Sequence, residues 1–154
     1  RGICAPVFAR CLGIELLPGL AAAARSACQR LDAAARTEGV LIGETETVCA
    51  DIMSPSVDWT SYHVVYAAST CFTSDLLDAV VERALKLQPG ALLITLQNPL
   101  AIGQHAIPGF DYTARGPFRM SWGSSTAHVL VRRGAEVPAP APLSGSHGAS
   151  PRPE

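Results

Sequence analysis

Between residues 58 and 99 the pattern of apolar and polar positions switches from strand-like to helical and back again. Tyr62-His63-Val64-Val65-Tyr66-Ala67 is β-branched and aromatic with little alternation, the pattern of a strand buried on both faces of a parallel sheet. From Thr73 the period changes: Leu76, Leu77, Val80, Val81, Ala84 and Leu85 recur at helical steps, while Asp75, Asp78, Glu82 and Lys86 fall mostly on the other side. Thr73 or Ser74 can cap this helix, Asp75 suits its electropositive first turn, and Pro89-Gly90 stops it before a second apolar strand, Ala91-Leu92-Leu93-Ile94-Thr95-Leu96. Strand, helix and strand in that order predict a parallel unit of an α/β fold. Open sheets of this kind take ligands beyond the carboxyl ends of their strands, so the corner from Ala68 to Phe72 is where chemistry is expected.

The N-terminal part repeats the alternation of elements. Arg10 to Leu16 reads as a short apolar strand with an acid, Glu15, near its end, and Pro18 stands where a helix should open. That helix is expected to run to about Arg36, with Leu20, Ala24, Ala27, Leu31 and Ala35 inward and Arg25, Gln29, Asp32 and Arg36 outward; Asp32 and Arg36 are spaced for a helical ion pair. Both helices should then pack on one sheet, burying Leu31 and Val80. Gly39 to Thr45 reads as a turn, and Thr47 to Ala50 as a short strand that delivers Asp51 to a loop. Asn98 to Gly116, with Pro99, Gly103, Pro108 and Gly109, reads as a long loop. Phe118 to Trp122 and Thr126 to Arg132 read as two strands of a hairpin joined at Gly123-Ser124. Residues 1–133 therefore form one domain, and 134–154, dominated by Pro, Ala, Ser and Gly, form a disordered tail.

Composition narrows the class. A chain of 154 residues, 48% hydrophobic and 16% charged, can bury one real core. No run of 18 apolar residues is free of charge or proline, which argues against a membrane span. Five cysteines, none in a Cys-x-x-Cys pair, argue for reduced thiols in a cytosolic or nuclear protein rather than for zinc or a disulfide framework. A formal charge of -1 leaves no electrostatic footprint for nucleic acid. The first residue, Arg1, is not a methionine and no signal peptide is visible, which suggests a processed or truncated N-terminus and a protein that is not secreted.

The chemistry-bearing residues sit at strand ends. A carboxylate that closes a strand, as Glu15 does, can accept both hydroxyls of a nucleoside ribose, although a solvated strand-end acid has the same appearance. Asp51 followed by Ile52 offers a polar group beside an apolar wall for an adenine ring. Two successive strands ending in acids, followed by a third ending in a small polar corner, describe a nucleoside cleft better than any one residue does.

Four segments carry a more specific resemblance. Cys11-Leu12-Gly13-Ile14-Glu15-Leu16-Leu17-Pro18, the stretch from Val64 to Phe72, Leu87-Gln88-Pro89-Gly90 with its strand, and Met120-Ser121-Trp122-Gly123 resemble successive blocks of the class I S-adenosylmethionine-dependent methyltransferases. Within that fold they most resemble the disruptor-of-telomeric-silencing type, the histone-lysine methyltransferases without a SET domain. The resemblance implies a Rossmann-like α/β sheet with helices on both faces and a C-terminal antiparallel hairpin. It also implies a first strand and a glycine-rich loop, which are missing here: residues 1–9 hold no Gly-x-Gly. That strand would lie between the strand ending at Glu15 and the strand ending at Ala67.

Residue by residue, the resemblance implies that Glu15 holds the cofactor ribose, that Asp51 and Ile52 contact the adenine, and that Ala68 stands at a cofactor-binding position where the family commonly carries asparagine. Ser69, Thr70 and Phe72 would lie by the methionine end of the cofactor and the lysine entrance, and Trp122 would wall the lysine channel. His128 lies near an expected channel tyrosine. No metal is implied. The activity implied is methyl transfer from S-adenosylmethionine to a protein lysine, most plausibly on a core histone of the nucleosome, in the nucleus. Two other readings stay open: a cytoplasmic class I methyltransferase acting on a small molecule or a non-histone protein, and a degenerate methyltransferase fold kept for protein interaction.

Overall fold

A computed structural model of the chain describes residues 8–99 and 107–134. Six strands and two α-helices make a mixed α/β architecture: β1 (Arg10–Glu15), α1 (Pro18–Glu38), β2 (Glu44–Cys49), β3 (Val64–Ala67), α2 (Ser74–Ala84), β4 (Leu92–Thr95), β5 (Phe110–Met120) and β6 (Gly123–Arg132), with a 3-10 turn at Ser69–Cys71. The strands form two sheets. β1 and β2 pair in parallel, Arg10 opposite Glu44 and Glu15 opposite Cys49. The second sheet has the order β3-β4-β6-β5, with β3 and β4 parallel and the β5–β6 hairpin antiparallel to β4.

Local chemistry explains the boundaries. α2 opens where the Thr73 hydroxyl accepts the Leu76 amide at 3.3 Å, so Thr73 rather than Ser74 is the cap. α1 opens on Pro18, whose missing amide costs nothing in a first turn, and closes on Gly39 at φ 65, a left-handed position that glycine tolerates. One core holds the second sheet to α2: Val80 and Ala84 meet Leu93, Leu130 and Phe110, joined by Trp59, Val57 and Leu87.

Several expectations are corrected. The helices serve different sheets, α1 covering β1 and β2 while α2 packs in the core of the second sheet. Val80 is buried as expected, but Leu31 and Leu20 are half exposed. The buried side chains of α1 are Ala35, as expected, and Ala21, so the helix meets β1 and β2 through small residues rather than through its leucines. No Asp32–Arg36 ion pair forms; among the described residues the ion pairs are Arg10–Glu46 and Arg133–Asp111. β2 starts at Glu44, inside the expected turn, since pairing with β1 extends it. β5 starts at Phe110, inside the expected loop, and crosses Gly116-Pro117 through a register shift between Arg115 and Phe118. Gly116 and Pro117, which look like strand breakers, are accommodated by that irregularity on an edge strand. The hairpin turns at Ser121-Trp122 rather than Gly123-Ser124. The middle of the expected loop, 100–106, and all of the expected tail except Gly134 lie outside the described residues.

Candidate functional site

A cavity of about 580 Å³ lies between β1 and β3. Every residue of β1 and of β3 lines it, so it runs along both strands rather than opening at one end only. Ile52, Trp59, Phe72 and Val80 contribute apolar walls, and Tyr62 and Ala68 stand at the two ends of the β3 segment. β1 and β3 start side by side: the Arg10 guanidinium sits 5.9 Å from the centre of the Tyr62 ring.

Four of the residues singled out from the sequence meet here: Glu15, Ile52, Ala68 and Phe72. Glu15 is half-buried, and one carboxylate oxygen accepts the Leu17 amide at 2.8 Å, which seats the acid at the opening turn of α1. The other oxygen has no partner among the described residues. Asp51 does not line the cavity; it is exposed, and its carboxylate accepts the Met53 amide at 2.7 Å in a local turn. Ser69 is completely buried, and its hydroxyl oxygen accepts two amides, Leu96 and Gln97, each at 3.0 Å. It therefore ties the corner after β3 to the end of β4. Thr70 is exposed, beside Cys71. Trp122 is 65% exposed in the hairpin turn and is not part of the cavity wall.

Arg83 was not marked by the sequence, where it reads as a cation in the last turn of α2. Its guanidinium donates to the carbonyl oxygens of Ile52 at 2.8 Å, Ser54 at 3.1 Å and Val57, and lies 5.2 Å from the centre of the Trp59 ring. Trp59 Nε1 also donates to the Ile52 carbonyl, at 2.8 Å. The segment that carries Ile52 and Trp59 into the cavity is thus pinned to α2. No local sequence pattern marks such a clamp, because its partners are backbone carbonyls more than twenty residues away.

A second polar pair lies in the other sheet. Tyr112 Oη is 2.7 Å from His128 Nδ1, with the rings stacked at 15°, and burial pushes the His128 imidazolium pKa down. Thr95, fully buried opposite His128, donates its hydroxyl to the Gln97 carbonyl at 2.8 Å. Tyr62 carries a buried hydroxyl without a partner at the cavity's edge. Among the described residues no group of three or more His, Cys, Asp or Glu could hold a metal ion, and no helix is long and apolar enough to cross a membrane.

Compared with known proteins, the chain matches no family model and no curated protein.

Proposed function

We propose that this chain is part of a class I methyltransferase domain of the disruptor-of-telomeric-silencing type, which transfers a methyl group from S-adenosylmethionine to a protein lysine, most plausibly on a core histone. The observation that carries this reading is the convergence of Glu15, Ile52, Ala68 and Phe72, from three separate segments, on one cavity that runs along β1 and β3 and includes the carboxyl ends of both. The antiparallel hairpin whose second strand pairs with β4 supports it too, because the resemblance implies such a hairpin at the end of the sheet.

The residues suit part of the cofactor. Glu15 keeps one oxygen for a ribose hydroxyl, and Ile52 and Phe72 offer apolar walls for a ring. Asp51, turned into its own loop, would serve only after that turn opens. S-adenosylmethionine brings a methyl group on a sulfonium leaving group, so the protein's own work is to align an amine and exclude water, and it needs no strong acid or base. Ser69 fits a supporting role, since both its hydrogen bonds go to backbone amides.

Calorimetric titration with S-adenosylmethionine tests the proposal. The 154-residue chain should bind weakly or not at all, because it holds no glycine loop to cradle the methionine end. With such a loop and its strand supplied ahead of Arg1, micromolar binding is expected, weakened by Glu15→Ala. Backbone hydrogen bonds to a charged ligand are worth about 1 to 3 kcal/mol each, enough to separate the two cases by orders of magnitude. Tight binding by the short chain, or a Glu15→Ala variant that binds unchanged, would overturn the assignment.

A further inference from the structure

The hairpin continues past the sheet that carries it. β4 pairs with β6 only from His128 to Val131, whereas the β5–β6 ladder runs on to Met120 and Gly123. Residues 123–127 of β6, with their partners on β5, therefore form a two-stranded arm that projects about 17 Å beyond β4. Residues 113–119 and 121–124 are all exposed. The register shift in β5 sorts the side chains of this arm. Arg115 stands opposite Ala127 and Phe118 opposite Ser125. Ala127 and Ser125 are two positions apart and share a face, so Arg115 and Phe118 share it too, although an unbroken strand would put them on opposite faces. Met120, opposite Gly123, joins them, while Arg119, opposite Ser124, lies on the other face. Phe118 is 47% exposed and Trp122, in the turn, 65%. From Tyr112 to Val131 the chain holds two arginines and no acid, although its formal charge as a whole is -1. Arg132 and Arg133, at the base of the hairpin, are occupied by the carbonyls of Leu85, Gly109 and Phe110 and by the Asp111 carboxylate. Arg115 and Arg119 have no acceptor among the described residues.

We propose that the tip of the β5–β6 hairpin is a docking surface for an acidic segment of a partner protein, whose carboxylates pair with Arg115 and Arg119 while its apolar side chains cover Phe118, Met120 and Trp122. Arginine, tryptophan, phenylalanine and methionine are the residues that protein interfaces concentrate, and tryptophan and arginine carry much of the binding energy there. A guanidinium takes a carboxylate through two parallel hydrogen bonds, and one without an internal partner gives up only water to do so. Nucleic acid and anionic membrane surfaces fit less well. Both are held by several clustered cations that meet a row or a plane of phosphates, whereas the arm offers two arginines on opposite faces and no lysine. A partner protein can reach both faces of a projecting arm. None of the cavity's walls comes from β5 or β6, so the inference stands whatever chemistry the cavity performs.

Biolayer interferometry on the 154-residue chain tests it. The immobilised probe is a peptide in which pairs of glutamates alternate with leucine and phenylalanine; one control replaces its glutamates with glutamine, the other its leucine and phenylalanine with serine. The chain should bind the probe with a dissociation constant of about 100 μM or tighter, and each control about ten-fold or more weakly. Arg115→Glu combined with Arg119→Glu, and separately Trp122→Ser, should weaken binding of the probe to the same extent, with thermal melts showing that changes at these exposed positions leave the fold intact. The peptide controls leave the chain untouched, so they decide the outcome even for a variant that unfolds. Binding weaker than about 1 mM, equal binding of a control, or unchanged binding by the folded variants would overturn the proposal. So would a preference for phosphatidylserine vesicles or for oligothymidylate over the peptide, since the arm would then be a phosphate reader.

Discussion

Arg83, on the last turn of α2, and Trp59, in the loop before β3, share one acceptor: both donate to the carbonyl oxygen of Ile52 at 2.8 Å. The guanidinium also lies over the indole ring, so the contact is at once hydrogen-bonded and cation–π. One wall of the cavity thus depends on a side chain that does not line it.

Arg83→Gln should therefore lower stability by about 2 to 4 kcal/mol, because it strands carbonyl oxygens that only a forked donor reaches together. Arg83→Lys should recover less than half of the loss. Urea denaturation checks both, and a loss below about 0.5 kcal/mol for Arg83→Gln would show that the clamp is idle.

The two helices should respond differently to a polar side chain on the face their apolar residues mark. Val80→Asp places a carboxylate in the core and should cost more than about 3 kcal/mol, whereas Leu31→Gln on the half-exposed face of α1 should stay within about 0.5 kcal/mol. Thermal melts of the two variants separate these outcomes. Comparable losses would mean that the leucine face of α1 is covered.

Ser69→Ala should destabilise by about 1 to 3 kcal/mol, since it leaves the Leu96 and Gln97 amides unpaired in a buried corner. Faster hydrogen exchange at those amides, measured by nuclear magnetic resonance, is the expected signature. Unchanged stability would return Ser69 to consideration as a group free to touch a ligand.

Acid should weaken the second sheet through His128. Burial lowers its pKa in the folded chain below the ordinary 6.5, so the unfolded chain takes up the proton first. Stability from this group is complete above about pH 6.5 and falls as the pH drops through and below that value. His128→Gln should flatten the pH dependence of the melting temperature below about pH 6.5. A slope as steep as in the parent would exclude His128 as its source.

The central strand-helix-strand unit was legible because a β-branched, aromatic run and a one-sided helix stand out in the sequence: β3, α2 and β4 fall inside the expected segments and Val80 is in the core, although β3 is not the fully buried strand expected, with Tyr66 exposed. α1 was placed to within two residues of its end, and Ala35 is buried as expected, but a helix packed through Ala21 and Ala35 hides small residues and leaves Leu20 and Leu31, also expected inward, outside. β5 was half concealed because Gly116 and Pro117 look like a loop until the register shift absorbs them. In the cavity, strand-end position found Glu15 and Ala68, and sequence adjacency found Ile52. The same logic placed Asp51 there, where its preference for a local turn prevailed. Arg83, Trp59 and the Tyr112–His128 pair arise from long-range packing and carry no short-range signature.

The placement of the two tryptophans makes the chain its own optical reporter. Trp59 is 5% exposed under Arg83 and Trp122 is 65% exposed at the hairpin tip, so the first should emit toward the blue and the second toward the red. Iodide, which reaches only exposed indoles, would silence the tip and leave the cleft wall glowing. Without any added dye, one emission band can then follow events in the cleft while the other follows the hairpin.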